Sequence, residues 1–360
     1  MSVSSVPPST VGLARRIEAR LTDLFRAERA RWAEVDPDLE IPLASLERSV
    51  LAGGKRLRPA FCYWAFVGCG GDPDDPAVVD AGAALEMLHT AALVHDDLID
   101  ASDRRHGSPT VHVDYEARHR RERWHGDSDR FGSGVAVVLG DLALVYSDRL
   151  MAAAPTAAAE IFDEMRLEVN VGQYLDILGA ADRAGMAGGA GPARARRIIR
   201  YKTAKYTVER PLHLGAALAD PGGSPGLTAA LSAFGLPVGE AFQLRDDLLG
   251  VFGDPEVTGK PVGDDLREGK PTLLASLAAT AADEAGSLLF ATRFGAADLD
   301  AEEVRLFQEL IESTGARAEV ERAIEDLVAA ARSALAALPL RPDAVAALGE
   351  LAAFVAGRDR

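Results

Sequence analysis

Along the chain, apolar residues recur every three or four positions within long segments rich in Ala, Leu, Glu and Arg. That period puts them on one face of an α-helix. It predicts helices over Leu13–Trp32, Ala77–Ile99, Val135–Ala153, Ala157–Leu178, Ala193–Ala219 and Leu227–Phe252, and further ones over Pro271–Ala282, Ala301–Ser313 and Ala316–Ala337. Alternating Val/Ile/Thr runs joined by hairpin turns are missing, so the expected class is all-α. The breaks at Gly70–Pro76, Gly185–Pro192, Asp220–Gly226 and Gly253–Gly269 are short and built of Gly, Pro and Asp, and none reads as an interdomain linker. A chain of 360 residues would ordinarily divide in two, but this pattern predicts one large helical bundle over 1–360. One connection is longer. Ala101–Gly134 is rich in Arg, His, Asp and Gly and holds four of the seven histidines, His106, His112, His119 and His125. Their spacing fits no common metal pattern, and the distal part is expected to be a solvated, partly mobile loop.

Composition narrows the function classes. A hydrophobic fraction of 48% with 26% charged residues supplies a large packed core and excludes wholesale disorder. The net charge of −16 argues against a general nucleic-acid or anionic-membrane surface. An anionic substrate then requires metals or a local cluster of basic side chains. Cys62 and Cys69 form neither a CxxC pair nor a zinc spacing and are expected to be reduced thiols. Met1–Thr10 has no basic or apolar leader pattern, so no signal peptide is expected. No run of about eighteen apolar residues occurs, since even Val79–Val94 is broken by Asp80, Glu86 and His89. The expectation is a soluble, cytoplasmic protein without a transmembrane segment.

The candidate chemistry begins at His95-Asp96-Asp97-Leu98-Ile99-Asp100. Asp96 and Asp100 are four residues apart at the predicted C-terminus of a helix, hence about 6 Å apart on one face. Like charges repel there, and the helix dipole also disfavours anions. A solvated acidic cap would account for one such pair, but a cation would compensate it, and hard oxygen ligands at this spacing suit Mg²⁺. A second pair, Asp246-Asp247, lies in another apolar helix within Gln243-Leu244-Arg245-Asp246-Asp247-Leu248-Leu249-Gly250. Basic residues stand near in the sequence: Lys55, Arg56 and Arg58 after Gly53-Gly54, Arg104-Arg105 after the first aspartates, Lys202-Thr203 in a helix, and Lys260 and Lys270 around a Gly-rich loop. Each alone reads as a surface charge, yet Lys and Arg are also the usual phosphate binders. Gly53-Gly54-Lys55 is no Walker A loop, because the GxxxxGK[ST] spacing is absent.

Taken in order, Gly-Gly-Lys-Arg-Leu-Arg-Pro, Leu-His-Thr-Ala-Ala-Leu-Val-His-Asp-Asp-Leu-Ile-Asp, Lys-Thr, Phe-Gln-Leu-Arg-Asp-Asp and Gly-Lys-Pro-Val-Gly-Asp-Asp-Leu resemble the motifs of the trans-polyprenyl diphosphate synthases, more narrowly the bacterial geranylgeranyl diphosphate synthases. The resemblance spans about 44–274, and residues 275–360 add only helical pattern. It implies one domain of the isoprenoid synthase type around a central apolar cavity, working as a homodimer on isopentenyl diphosphate and an allylic diphosphate with Mg²⁺, for which Mn²⁺ can substitute. By resemblance, Asp96 and Asp100 match carboxylates that bridge Mg²⁺ to the allylic diphosphate, Asp97 supports them, and Asp246 matches the holder of the remaining ion. Arg104, Lys202, Lys260 and Lys270 match allylic-diphosphate contacts. Lys55, Arg58, His89 and Arg105 match the metal-free isopentenyl diphosphate pocket. Thr203 and Gln243 match residues whose oxygens face the developing allylic cation, so that Lys202, Thr203 and Gln243 carry the catalytic expectation.

The chain departs from this pattern once. The second motif of the family reads Asp-Asp-x-x-Asp, whereas here its last position is Gly250. Asp254 lies about 12 Å beyond Asp246 along a helix and cannot serve the same ion. A glycine in mid-helix costs up to about 1 kcal/mol relative to Ala, which points to a bend or a tight contact. Product length is expected from the helix before Asp96. Ala91 and Ala92 are small, so the first floor for a growing chain falls at Leu88 or Met87, about two turns down, which suggests a twenty-carbon product rather than a farnesyl or longer one. Close helix packing is the other use for two adjacent alanines. A class I terpene cyclase would share the first motif, but its Asn-Asp-x-x-Ser-x-x-x-Glu motif is not found. A non-catalytic partner subunit would ordinarily lack one aspartate motif.

Overall fold

The computed structural model describes residues 8–105, 107–186, 190–253 and 262–357. The described residues fall into two compact units, one of 8–63 and 72–155, the other of 64–71 and 156–357. Both are α-helical, as the periodicity predicts. Among the described residues the strands are two dipeptides, Arg104–Arg105 and Ser108–Pro109, paired antiparallel about Gly107.

The first unit contains α1 (Pro8–Ala33), α2 (Glu40–Leu51), the start of α3 (Leu57–Gly68), α4 (Pro76–Ile99), α5 (Val111–Arg121) and α6 (Ser128–Met151). Asp75 caps α4 by accepting from the Ala77 N–H, with Pro76 at the first helical position. From Ala81 to Leu88 every residue of α4 is buried. By length and composition α4 and α6 are apolar enough to cross a membrane, at mean hydropathies of 1.4 and 1.3. For α4, 72% of that window lies inside the protein, as in a core helix. The packing of α6 on α1 includes an edge-to-face contact of Phe25 with Tyr146 at 6.0 Å. The nearly buried Glu28 accepts from the Tyr146 hydroxyl and pairs with Arg149 at 2.9 Å.

The expectation of a loop through the distal part of 101–134 is corrected here, because α5 and the first turns of α6 occupy most of it. The face of α5 that packs inward is His112, Tyr115 and His119. That is helical spacing, but two of its three positions are histidine, which reads as polar in sequence. The neighbouring Arg120 and Arg121 are exposed, and Gly132 lets α6 approach the α5 backbone, since a Cβ there would lie 2.2 Å from the His112 carbonyl oxygen.

The second unit contains α7 (Thr156–Ala181), α8 (Arg183–Met186), α9 (Gly191–Ile198), a π-helix (Ile199–Glu209), α10 (Arg210–Ala219), α11 (Pro225–Phe252), α12 (Asp264–Glu268), α13 (Leu273–Ala281), α14 (Glu284–Arg293), α15 (Ala301–Ser313), α16 (Ala316–Ala336) and α17 (Pro342–Ala356). Leu244, Leu248, Leu273, Leu274 and Ile324 belong to one buried cluster, joined by Phe290, Phe294 and Phe307 with ring centroids 5.2–6.1 Å apart. Predicted as one helix over Ala193–Ala219, the chain instead widens to π geometry between α9 and α10. Glycines admit that wider backbone: a Cβ on Gly172 of α7 would stand 2.4 Å from the Lys202 nitrogen, and one on Gly239 of α11 would stand 2.5 Å from the Ala204 Cα.

Candidate active site

In the first unit, α4 ends at Ile99 and Asp100 caps it, its N–H donating to the Asp96 carbonyl. Asp96 and Asp100 are half-buried and Asp97 is buried. Arg105, placed by the hairpin, donates to Asp97 at 2.7 Å from Nε and stands 2.6 Å from it through Nη2. Burial pushes the Asp97 carboxyl up; the Arg105 hydrogen bond opposes this, and neighbouring Asp96 adds to the rise. The same carboxylates raise the Arg105 guanidinium against its own burial. Thus Asp97 orients Arg105, while Asp96 and Asp100, four residues apart, share the adjoining face of the helix end. Arg104 is exposed and donates to the Gly107 carbonyl. The His95 ring occupies the space a Cβ on Gly140 would fill, 2.0 Å from Nε2, and this nitrogen lies 3.3 Å from the Val137 carbonyl oxygen.

The Gly53–Arg58 segment divides its three cations by position. Helix α3 begins at Leu57, so Lys55 lies in the loop before it and Arg58 in its first turn. Both are half-buried. Arg56, between them, is buried with a positive φ of 47° and pairs with Glu86 of α4, donating also to the Val50 carbonyl at 2.9 Å. Arg56 is therefore structural: it fastens the loop to α4 and leaves Lys55 and Arg58 on either side. His89 is half-buried on the same helix. Below Asp96, Ala92 and Leu88 follow at steps of four, Ala92 half-buried and Leu88 only 2% exposed, while Ala91 and Met87 are buried on the adjoining face.

In the second unit, Lys202 and Thr203 sit in the π-helix. Lys202 Nζ donates to Asp176 of α7 at 2.6 Å. The Thr203 hydroxyl donates to Gln243 Oε1 at 2.6 Å, and the Gln243 amide donates to Asp247 at 2.8 Å. This chain fixes both Thr203 and Gln243 from α11. Asp246 is exposed and Asp247 buried. Burial drives the Asp247 carboxyl well above its ordinary range, reinforced by repulsion from Asp265 and Asp246 against the Gln243 hydrogen bond. Asp247 thus feels the charge of both Asp246 and Asp265 near the end of α11.

Gly250 is explained by the fold. A Cβ at this position would fall 2.1 Å from Oδ2 of Asp265, so the glycine leaves the space that a second aspartate, from α12, occupies. The expected tight contact is present, and the carboxylate missing from the end of the motif returns from 15 residues further along the chain. Lys270 stands 2.5 Å from Glu268 and 3.8 Å from Asp265. Lys260, like Asp254 and His106, lies outside the described residues. Among the described residues, no three carboxylate, imidazole or thiolate groups gather closely enough to hold an ion by themselves.

Asp176 and Asp265 were not singled out by the sequence. Asp176 is a lone carboxylate inside the apolar run Tyr174-Leu175-Asp176-Ile177-Leu178, a signal that could have found it. Asp265 lies within Gly-Lys-Pro-Val-Gly-Asp-Asp-Leu, 15 residues beyond Gly250, and nothing in that string points to the contact.

The polyprenyl synthetase family profile matches residues 41–311. A short chain isoprenyl diphosphate synthase of Methanothermobacter thermautotrophicus is 31% identical over 92% of this chain and 95% of its own. A geranylgeranyl diphosphate synthase of Mycobacterium tuberculosis is 33% identical over 83% of this chain and 80% of its own, and a nonaprenyl diphosphate synthase of the same organism is 30% identical over 89% and 86%. In structure, a geranylgeranyl pyrophosphate synthase from Corynebacterium glutamicum, complexed with isoprenyl diphosphate and magnesium, superposes with a TM-score of 0.88 at 38% identity, covering 96% of this chain and 99% of that one.

Proposed function

The chain belongs to the polyprenyl synthetase family, and from that premise we propose that it condenses isopentenyl diphosphate with an allylic diphosphate, head to tail and trans, with geranylgeranyl diphosphate as the main product. One observation carries the reading: both aspartate motifs stand in the last turns of apolar helices and each is tied to a predicted site residue, Asp97 to Arg105 and Asp247 through Gln243 to Thr203.

The donors, Asp96 and Asp100 in the first unit and Asp246 in the second, are all carboxylate oxygens, which fit Mg²⁺ or Mn²⁺ completed by water and diphosphate oxygens. When bound, the metal supplies neutralisation of the charge that develops on the departing diphosphate. The residues of the chain do the rest. Lys202, Lys270 and Arg104 bind the allylic diphosphate, and Lys202 is held ready by Asp176. Lys55, Arg58, His89 and Arg105 take the second diphosphate without metal. The Thr203 hydroxyl donates its hydrogen bond to Gln243 Oε1, which turns its oxygen lone pairs away from Gln243, so that they face the allylic cation as a fixed dipole. No side-chain nucleophile is required; the released diphosphate removes the proton that ends the condensation.

Ala92 and Leu88 continue the Asp96 face of α4, which favours Leu88 as the floor under a twenty-carbon chain. A homodimer is supported by exposed apolar residues on two helices. On α7, Leu167, Val171 and Tyr174 are 64%, 52% and 65% exposed at helical spacing, and on α6 Val138 and Val145 are 57% and 52% exposed. The test uses the purified chain alone, labelled isopentenyl diphosphate, and dimethylallyl, geranyl or farnesyl diphosphate as starter. Gas chromatography of the dephosphorylated products is expected to give geranylgeraniol, and no product after chelation by EDTA. A cyclised hydrocarbon, or no incorporation with metal present, would overturn the proposal.

A further inference from the structure

Away from these residues, the second unit contains a cavity of about 290 Å³ between α11, α16 and α17. Phe234 and Val238 of α11, Ile324 and Val328 of α16 and Ala352 of α17 give it apolar walls. That volume lies at the lower edge of the roughly 300–1,000 Å³ typical of small-molecule sites. Three charged residues also line it: Arg245 of α11 and the exposed Arg332 and Glu325 of α16, a net positive set in a chain of net charge −16. The Nε of Arg245 is buried and has no hydrogen-bond partner among the described residues. That nitrogen is sealed inside the protein, so a ligand meets the rest of the half-buried guanidinium, for which an anionic oxygen is the matching acceptor.

We propose that this cavity is a second ligand site, for a single-chain amphiphile with an anionic head. The tail lies among Phe234, Val238 and Val328, and the head pairs with Arg245, with Arg332 assisting from the rim. A carboxylate or a phosphate head satisfies the same chemistry, so a fatty acid and an isoprenyl phosphate are the two sources. Arg245 directly precedes Asp246, so a bound head group acts on the helix turn that carries the second aspartate motif.

The test is calorimetric titration of the full chain, with divalent metal chelated, by dodecyl phosphate and by dodecanol. One saturable site per chain is expected, with the phosphate bound at least about tenfold more tightly than the alcohol, the size of one charge-assisted hydrogen bond. Arg245→Leu should abolish that preference, and Ala352→Trp, which fills the cavity, should remove binding of both. Arg332→Glu changes an exposed position that folding tolerates, and should weaken the phosphate alone; circular dichroism checks each variant. Competition by palmitate and by geranylgeranyl monophosphate identifies the source by which displaces dodecyl phosphate at the lower concentration. Equal binding of phosphate and alcohol would overturn the proposal. So would displacement by neither competitor, or binding kept in the three cavity variants and lost in Lys55→Ala/Arg58→Ala, which would locate the amphiphile in the synthase pocket instead.

Discussion

Gly250→Ala turns the contact between α11 and α12 into a measurable sign. On helix propensity alone, replacing a mid-helix glycine by alanine should stabilise the protein by about 0.5–1 kcal/mol. Here the new Cβ would lie 2.1 Å from Asp265 Oδ2 and 2.6 Å from its Cγ, closer than any real contact. Asp265 has a short side chain at the start of a five-residue helix, with Lys270 3.8 Å away on one side and the buried Asp247 repelling it from another. It has little freedom to swing clear. Overpacking of this kind costs about 1–3 kcal/mol, so the net effect is a loss of about 1 kcal/mol where a gain would otherwise be seen. Urea titration of the full chain, followed by circular dichroism, reads this as a lower midpoint. In Gly250→Ala/Asp265→Ala the obstruction is gone and the helix gain should return, a coupling of about 1–2 kcal/mol between the sites. A Gly250→Ala variant that is more stable than the parent, with no coupling to position 265, would refute the explanation of this glycine.

Asp96→Ala and Asp246→Ala should each lower kcat at least about a hundredfold in folded protein, because a stabiliser of the leaving charge is lost; steady-state turnover of labelled substrate checks this. Lys55→Ala and Arg58→Ala should mainly raise KM for isopentenyl diphosphate, whereas Lys202→Ala should impair the allylic substrate and kcat, and equal effects on both substrates would sink the two-pocket assignment. Ala92→Phe, on the Asp96 face, should shift the main product from twenty carbons to fifteen while turnover continues, and Leu88→Ala should release some longer chains, both read by chromatography of the alcohols. Glu168 is nearly buried, and hydrogen bonds from Arg210 and Lys205 overcome the upward push of burial to hold its carboxyl below the ordinary value. A lowered folded pKa means its stabilisation is present above about pH 4.3, the unfolded value, and is lost as pH falls through the folded one. Urea midpoints of the parent and Glu168→Gln should therefore differ widely at pH 7 and converge in acid.

What the sequence determined by itself is whatever depends on residues close together in the chain. Helical period places α1, α4, α7, α11 and α15 within a few residues of their ends, and spacing of four places Asp96 and Asp100 on one helix end, because local geometry is the same in any α-helix. The ordered motifs identify the family for the same reason. What only the tertiary structure decided depends on approaches between segments far apart in sequence. Lys55, Arg56 and Arg58 are alike as a string, but only Arg56 meets Glu86 and is buried. Gly172 and Gly239 are unremarkable in composition, but α7 and α11 use them to admit a π-helix that sets Lys202 and Thr203 on Asp176 and Gln243. The histidines of α5 hide a buried face, because an imidazole scores as polar until its packing is known. The gap at Gly250 has its answer in Asp265, since hard-sphere exclusion acts through space, and a missing methyl in one helix is visible only beside the carboxylate that needs its room.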